Sequence, residues 1–161
     1  MRLDETNKAI IRELSNGRKA FSTIADKIGI TENTVRARVN KLMEDGVLQI
    51  SGLVNPQTIA EMQVVIMGVK LSTLDLESKA KEMLKLKGVI SVVVVTGRYD
   101  LIVQVATSSQ DDQSLLNFFK NELSKVKGVA DVETFVVYQA HNYMVPYILW
   151  EPWNGTSGRR P

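Results

Sequence analysis

The chain has no cysteine, one histidine (His141), four prolines and only 6% aromatic residues across 161 positions. Without cysteine there is no disulfide framework, no thiolate nucleophile and no cysteine-ligated zinc site. Paired carboxylates at catalytic spacing, clusters of metal-ligand side chains and a phosphate-cradling glycine loop are missing too. The sequence therefore assigns no catalytic residue, no metal and no cofactor, and it does not read as an enzyme. No apolar run approaches the ~20 residues that a membrane span needs. The opening residues MRLDETNK are charged where a secretory signal would be apolar. A cytoplasmic address without a membrane partner is the expectation.

What is present suits a globular protein: 44% hydrophobic residues, enough for a real core, and 24% charged. Net charge is +2. The first 56 residues hold nine Lys and Arg against seven Asp and Glu. This is less basic than the pI above ~9 that announces nucleic-acid binding by itself. Any such function must follow from where the charges sit.

In the first third, Asp4 caps a helix with Ile10, Ile11 and Leu14 on one side, ending near Asn16-Gly17. A second short helix spans 21–28, with Ile24, Ala25 and Ile28 along its apolar side. Gly29 can adopt the left-handed conformation that stops a helix and turns the chain. Thr31 then caps a third helix, TENTVRARVNKLMED, stopped by Gly46. Val35, Val39 and Leu42 form its back. Asn33, Thr34, Arg36, Ala37, Asn40 and Lys41 form its front, and Arg38 lies on the border. Residues 47–54 read as a strand. Two short helices about a glycine turn suit a helix-turn-helix. Arg can fork onto guanine, Asn onto adenine, and Thr and Lys can grip phosphate. Small Ala37 lets the backbone approach the groove floor. A merely solvated face would look similar residue by residue; turn, cap and spacing together favour double-stranded DNA as partner.

After a linker at 55–62 containing Pro56, the pattern changes. Strands are expected at 63–72, 89–96, 101–107 and 129–138. Helices fall at 75–87 and after a cap at Ser109 or Asp111. This is β-α-β-β-α-β, the ferredoxin-like order. LKLKGVISVVVV and LSKVKGVADVETFVV repeat one design of helix end, Lys-Gly-Val, strand. Because VVIMGV, VISVVVV and LIVQV are apolar at nearly every position, both sheet faces want burial. Helices cover one face; the same face of a second copy would cover the other, giving a homodimer. The turn Gly97-Arg98-Tyr99-Asp100 joins two of these strands. Gly97 suits a tight turn, whereas a cation, an aromatic and an acid are not needed merely to reverse the chain.

With LDETNKAIIREL, IADKIGITENTVRARVNKLMEDGVL and VTGRYDLIVQV in this order, the chain resembles the Lrp/AsnC, or feast/famine, transcription regulators from about Leu3 to Tyr138. The resemblance implies an α+β protein with two domains. A winged helix-turn-helix (1–54) would bind DNA through Thr31, Asn33, Thr34, Arg36, Ala37, Arg38, Asn40 and Lys41. A ferredoxin-like domain (63–140) would dimerise by its sheet, with further assembly into octamers. It also implies an amino acid or related small-molecule effector between dimers, against Gly97, Arg98, Tyr99, Asp100 and Thr134. There Asp100 would pair with an α-ammonium, backbone N–H groups near Gly97 would receive a carboxylate, and Tyr99 would wall the pocket. Arg98 departs from relatives, which often carry an acid at that position. It could favour a carboxylate-rich effector, bridge two dimers or sit in water. The tail, 141–161, holds Trp150 and Trp153 with Tyr143 and Tyr147; Pro146 and Pro152 suggest an extended arm, disordered from Asn154. Two other functions compete: an architectural DNA-binding protein with little sequence preference, and a sirohaem-decarboxylase-like subunit. A single histidine argues against the latter.

Overall fold

A computed structural model of the protein describes residues 3–108 and 114–147. Ser109, Asp111, Trp150, Pro152, Trp153 and the segment from Asn154 lie outside the described residues. The chain divides into two compact units between Ser51 and Gly52, and each is described by itself.

The first unit is three helices: α1 (Glu5–Glu13), α2 (Phe21–Ile28) and α3 (Glu32–Glu44). Asp4 starts α1, its carboxylate accepting a hydrogen bond from the Asn7 N–H at 2.6 Å. Thr31 starts α3 in the same way, accepting from the Thr34 N–H at 3.2 Å. Between α2 and α3 the chain has only Gly29, Ile30 and Thr31, and Gly29 makes the bend at φ +73°. The apolar stripes meet as expected: Ile10, Ile24, Ala25, Val35 and Val39 are buried together, flanked by Leu14, Phe21, Ile28 and Met43. The strand expected over 47–54, which would have formed the wing, is reduced to β1 (Leu53–Val54). The Val47 and Leu48 N–H groups instead donate back to the Leu42 carbonyl, closing α3. Val47 and Ile50 are exposed and, among the described residues, lie outside any strand.

The second unit contains β1, β2 (Met62–Leu71), α4 (Leu76–Leu84), β3 (Val89–Val94), β4 (Leu101–Ser108), α5 (Ser114–Asn121), β5 (Val129–Val136) and β6 (Val145–Pro146). Its main sheet has the order β3-β4-β2-β5, with every neighbouring pair antiparallel. This is the ferredoxin-like arrangement expected from the sequence. Alternate residues of β2 explain its two-sided character. Val65, Met67, Val69 and Leu71 pack under the helices with Leu101, Val103, Val105, Met83 and Phe118. Met62 and Val64 point to the other face, into a second cluster with Ile90, Ala106 and Val145. That second cluster revises the expectation that a second copy alone would cover this face. Part of the cover is the chain's own flanks: Val54, Ile59 and Tyr143 pack there, and β1 pairs with β6. The rest stays open, with Val93 and Phe135 exposed. The repeated Lys-Gly-Val junctions end in matching glycines, Gly88 at φ +81° and Gly128 at φ +85°.

Candidate nucleic-acid interface and effector turn

The α3 front is a continuous exposed stripe of Asn33, Arg36, Ala37, Asn40 and Lys41, with Thr34 half-buried beside it. Its cations are held at home by partners of different strength. Arg36 Nη2 reaches Glu32 Oε1 one turn back at 2.6 Å, and its guanidinium lies 5.4 Å from the centre of the Phe21 ring. Lys41 Nζ pairs with Asp45 Oδ1 at 2.7 Å, which raises the Lys41 pKa. Exposed pairs of this kind contribute little, so a phosphate or a base edge displaces them easily. Arg38 differs. Its Nη1 donates to Asp4 Oδ2 at 2.6 Å and to Asn7 Oδ1 at 3.0 Å, tying α3 to the start of α1. That hydrogen bond is the leading reason the Asp4 carboxyl titrates below its usual range. Thr31 spends its hydroxyl on the helix cap and on the Thr34 hydroxyl, 2.9 Å away. Of the residues singled out from sequence, the structure thus presents Asn33, Arg36, Ala37, Asn40 and Lys41 outward and uses Arg38 and Thr31 internally.

The second candidate is the Gly97–Asp100 turn. Gly97 has φ +127°. The Tyr99 ring folds back over β2 at Gly68: a Cβ on Gly68 would stand 2.7 Å from three ring carbons. Asp100 fastens the turn at both ends of its residue. Its N–H donates to the Val69 carbonyl at 2.9 Å, and its Oδ2 accepts from the Leu71 N–H at 2.8 Å. Oδ1 accepts from Lys70 Nζ at 2.9 Å. The Leu71 N–H, then Lys70, hold the Asp100 carboxyl below its ordinary pKa. Arg98 lies over the Tyr99 ring, 5.5 Å from its centre, with Nη2 3.2 Å from Glu133 Oε2.

Thr134 is not brought to this turn by its own chain. It pairs with Met67, and directly opposed residues of an antiparallel pair share a face, so it stands on the helix-covered side. Glu133, paired with Gly68, shares the face that Tyr99 roofs. Sequence reasoning passed over Glu133, Gly68 and Lys70. The second acid of β5, two places after Asp131 and so on the same side of the strand, was the available signal for Glu133. A cavity of about 520 Å³ also lies on this unit, bordered by Ile66, Val136, Tyr138, Ala140 and Tyr143. Burial raises the pKa of the Tyr143 phenol, and its hydroxyl has no hydrogen-bond partner among the described residues.

Among the described residues no group of three or more His, Cys, Asp or Glu could hold a metal ion, and no helix is long and apolar enough to cross a membrane. Residues 3–43 match the AsnC-type helix-turn-helix domain, and residues 64–145 match the Lrp/AsnC ligand binding domain. An uncharacterized HTH-type transcriptional regulator of Pyrococcus abyssi is 32% identical over 139 residues, spanning 85% of this chain and 87% of that protein. Among solved structures, AsnC of E. coli superposes with a TM-score of 0.64 at 22% identity, covering 87% of this chain and 95% of that one. A transcriptional regulator of Neisseria meningitidis, solved as an L-Met complex, gives 0.67 at 21% identity, covering 88% and 94%. Matched over both of its units, the chain belongs to the Lrp/AsnC family of DNA-binding transcription regulators.

Proposed function

We propose that this regulator reads DNA with the exposed front of α3, and that an amino acid or related small metabolite at the Gly97–Asp100 turn modulates its assembly or DNA affinity. The observation that carries the reading is the construction of the turn. Tyr99 is seated over a glycine, and Asp100 is bonded to β2 through both backbone and side chain. A mere chain reversal needs neither. The L-Met complex of the Neisseria regulator supports an amino-acid effector. On α3, Arg36, Asn33 and Asn40 are the base readers, and Lys41 and Thr34 grip phosphate. Arg38 positions the helix from behind. A second copy would cover the open part of the sheet, where Val93 and Phe135 are exposed. The resulting dimer presents two α3 helices to half-sites about 34–36 Å apart, or multiples of that.

A thermal-shift screen of the amino acids tests the effector, since a ligand raises stability by RT ln(1 + [L]/Kd). Footprinting with and without each hit tests the regulator. The expected result is discrete, periodic protection that the ligand strengthens or weakens. Uniform coverage would make the protein architectural, and a screen without any hit would remove the amino-acid effector.

A further inference from the structure

This inference rests on the effector reading above and names the groups that receive the effector. Position along the sequence gives the ammonium to Asp100. Both Asp100 oxygens are already occupied, one by Lys70 Nζ and the other by the Leu71 N–H. An incoming ammonium would have to share these oxygens with the lysine and with the bond that holds the turn to β2. The other carboxylate at the turn is Glu133. Its Oε2 is buried, although the side chain as a whole is 38% exposed, and it accepts no hydrogen bond among the described residues. Arg98 Nη2 stands 3.2 Å away, an ion pair that does not amount to a hydrogen bond. A buried carboxylate oxygen without a donor is a poorly satisfied group. Arg98 is held loosely, its side chain 78% exposed, where an ion pair contributes little.

We propose that a zwitterionic amino acid inserts between Arg98 and Glu133, its α-ammonium donating to Glu133 and its α-carboxylate accepting from Arg98. One loose ion pair becomes two charge-assisted contacts, and Glu133 Oε2 gains the donor it lacks. Tyr99, seated on Gly68 beside Glu133, is the wall against which the side chain of the ligand lies. Asp100 keeps its place as the anchor of the turn.

The experiment measures binding of whichever amino acid shifts the wild type, with two analogues: the matching 2-hydroxy acid, which lacks the ammonium, and the amino-acid amide, which lacks the carboxylate. Wild type should lose about tenfold or more in affinity for each analogue, the loss of one charged hydrogen bond. Glu133→Gln should bind the amino acid that much more weakly yet bind the hydroxy acid as wild type does. Arg98→Gln should show the same indifference toward the amide. Asp100→Asn should lower the melting temperature of the free protein while still discriminating ammonium from hydroxyl. Wild-type affinity in Glu133→Gln would overturn the inference and leave the effector reading standing. So would loss of the ammonium preference in a folded Asp100→Asn. If no amino acid binds wild type, the effector reading fails and takes this one with it.

Discussion

Gly68 makes the seating of Tyr99 measurable. Its φ is not in the left-handed region, so alanine is free to adopt the backbone, and the nearest obstacle is the ring. An added Cβ would lie 2.7 Å from Tyr99 Cγ, Cδ2 and Cε2. Carbon atoms rest at ~3.5–4.0 Å, so the ring must retreat by about 1 Å, lifting it from the sheet and taking Arg98 with it. Overpacking of this sort costs about 1–3 kcal/mol. Replacing a strand glycine by alanine returns about 0.5–1 kcal/mol. Gly68→Ala should therefore destabilise by about 0–2.5 kcal/mol. In a Tyr99→Ala background the new methyl has room, so the same substitution should be neutral or stabilising. The coupling between the two positions is then about 1–3 kcal/mol, within the range found for side chains in direct contact. Urea unfolding of the four proteins at one fixed concentration measures it, the fixed concentration removing any contribution from self-association. Equal destabilisation with and without the tyrosine would refute the contact. A clearly stabilising Gly68→Ala in the wild type would refute the seating of the ring altogether.

Gly88→Ala should cost more than Gly128→Ala although both glycines are left-handed, because a Cβ on Gly88 meets the Ala106 carbonyl oxygen at 2.6 Å while Gly128 has only side-chain neighbours at 3.5 Å or beyond. Thermal melts should show Gly128→Ala near the ~1 kcal/mol of left-handed strain and Gly88→Ala well beyond it. Arg38→Ala should lower the stability of the helical unit by up to about 1 kcal/mol and leave the salt dependence of DNA binding unchanged. Arg36→Ala should instead weaken specific DNA by about 1–3 kcal/mol; a drop equal on all sequences would reassign Arg36 to phosphate. Asp4, Glu13 and Asp100 have folded pKa values held below their unfolded ones by hydrogen-bonded partners. Their contribution is therefore fully present above the unfolded carboxylate pKa of about 4 and is lost as pH falls through the folded values. An acid melt of Asp100→Asn should be flatter than that of wild type; an identical slope would mean that Asp100 contributes nothing to acid lability.

Local rules explain what was legible in the sequence. Period-3.6 stripes, the Thr31 and Asp4 caps and the Gly29 stop need no distant partner, and the first unit follows them closely. The β-α-β-β-α-β order is equally local, because each strand and helix is marked by its own apolar period. What failed depended on pairing. Residues 47–54 are rich in apolar, strand-forming residues, but only Leu53–Val54 finds a partner strand, across nearly a hundred positions of chain, at β6. The choice between Thr134 and Glu133 turns on a single residue of register. Between Lys70 and Leu71 the β2–β5 ladder shifts, so that Lys70 faces Asp131 while Leu71 faces Val129. In a strand a one-residue slip moves every side chain to the other face. Sequence position alone therefore leaves both residues equally good candidates for the effector turn. The ladder beyond the irregularity sets Glu133 against Gly68, and the missing side chain at Gly68 is what admits Tyr99 to that face. The acid and the aromatic meet because a third residue, with no chemistry of its own, leaves room for them.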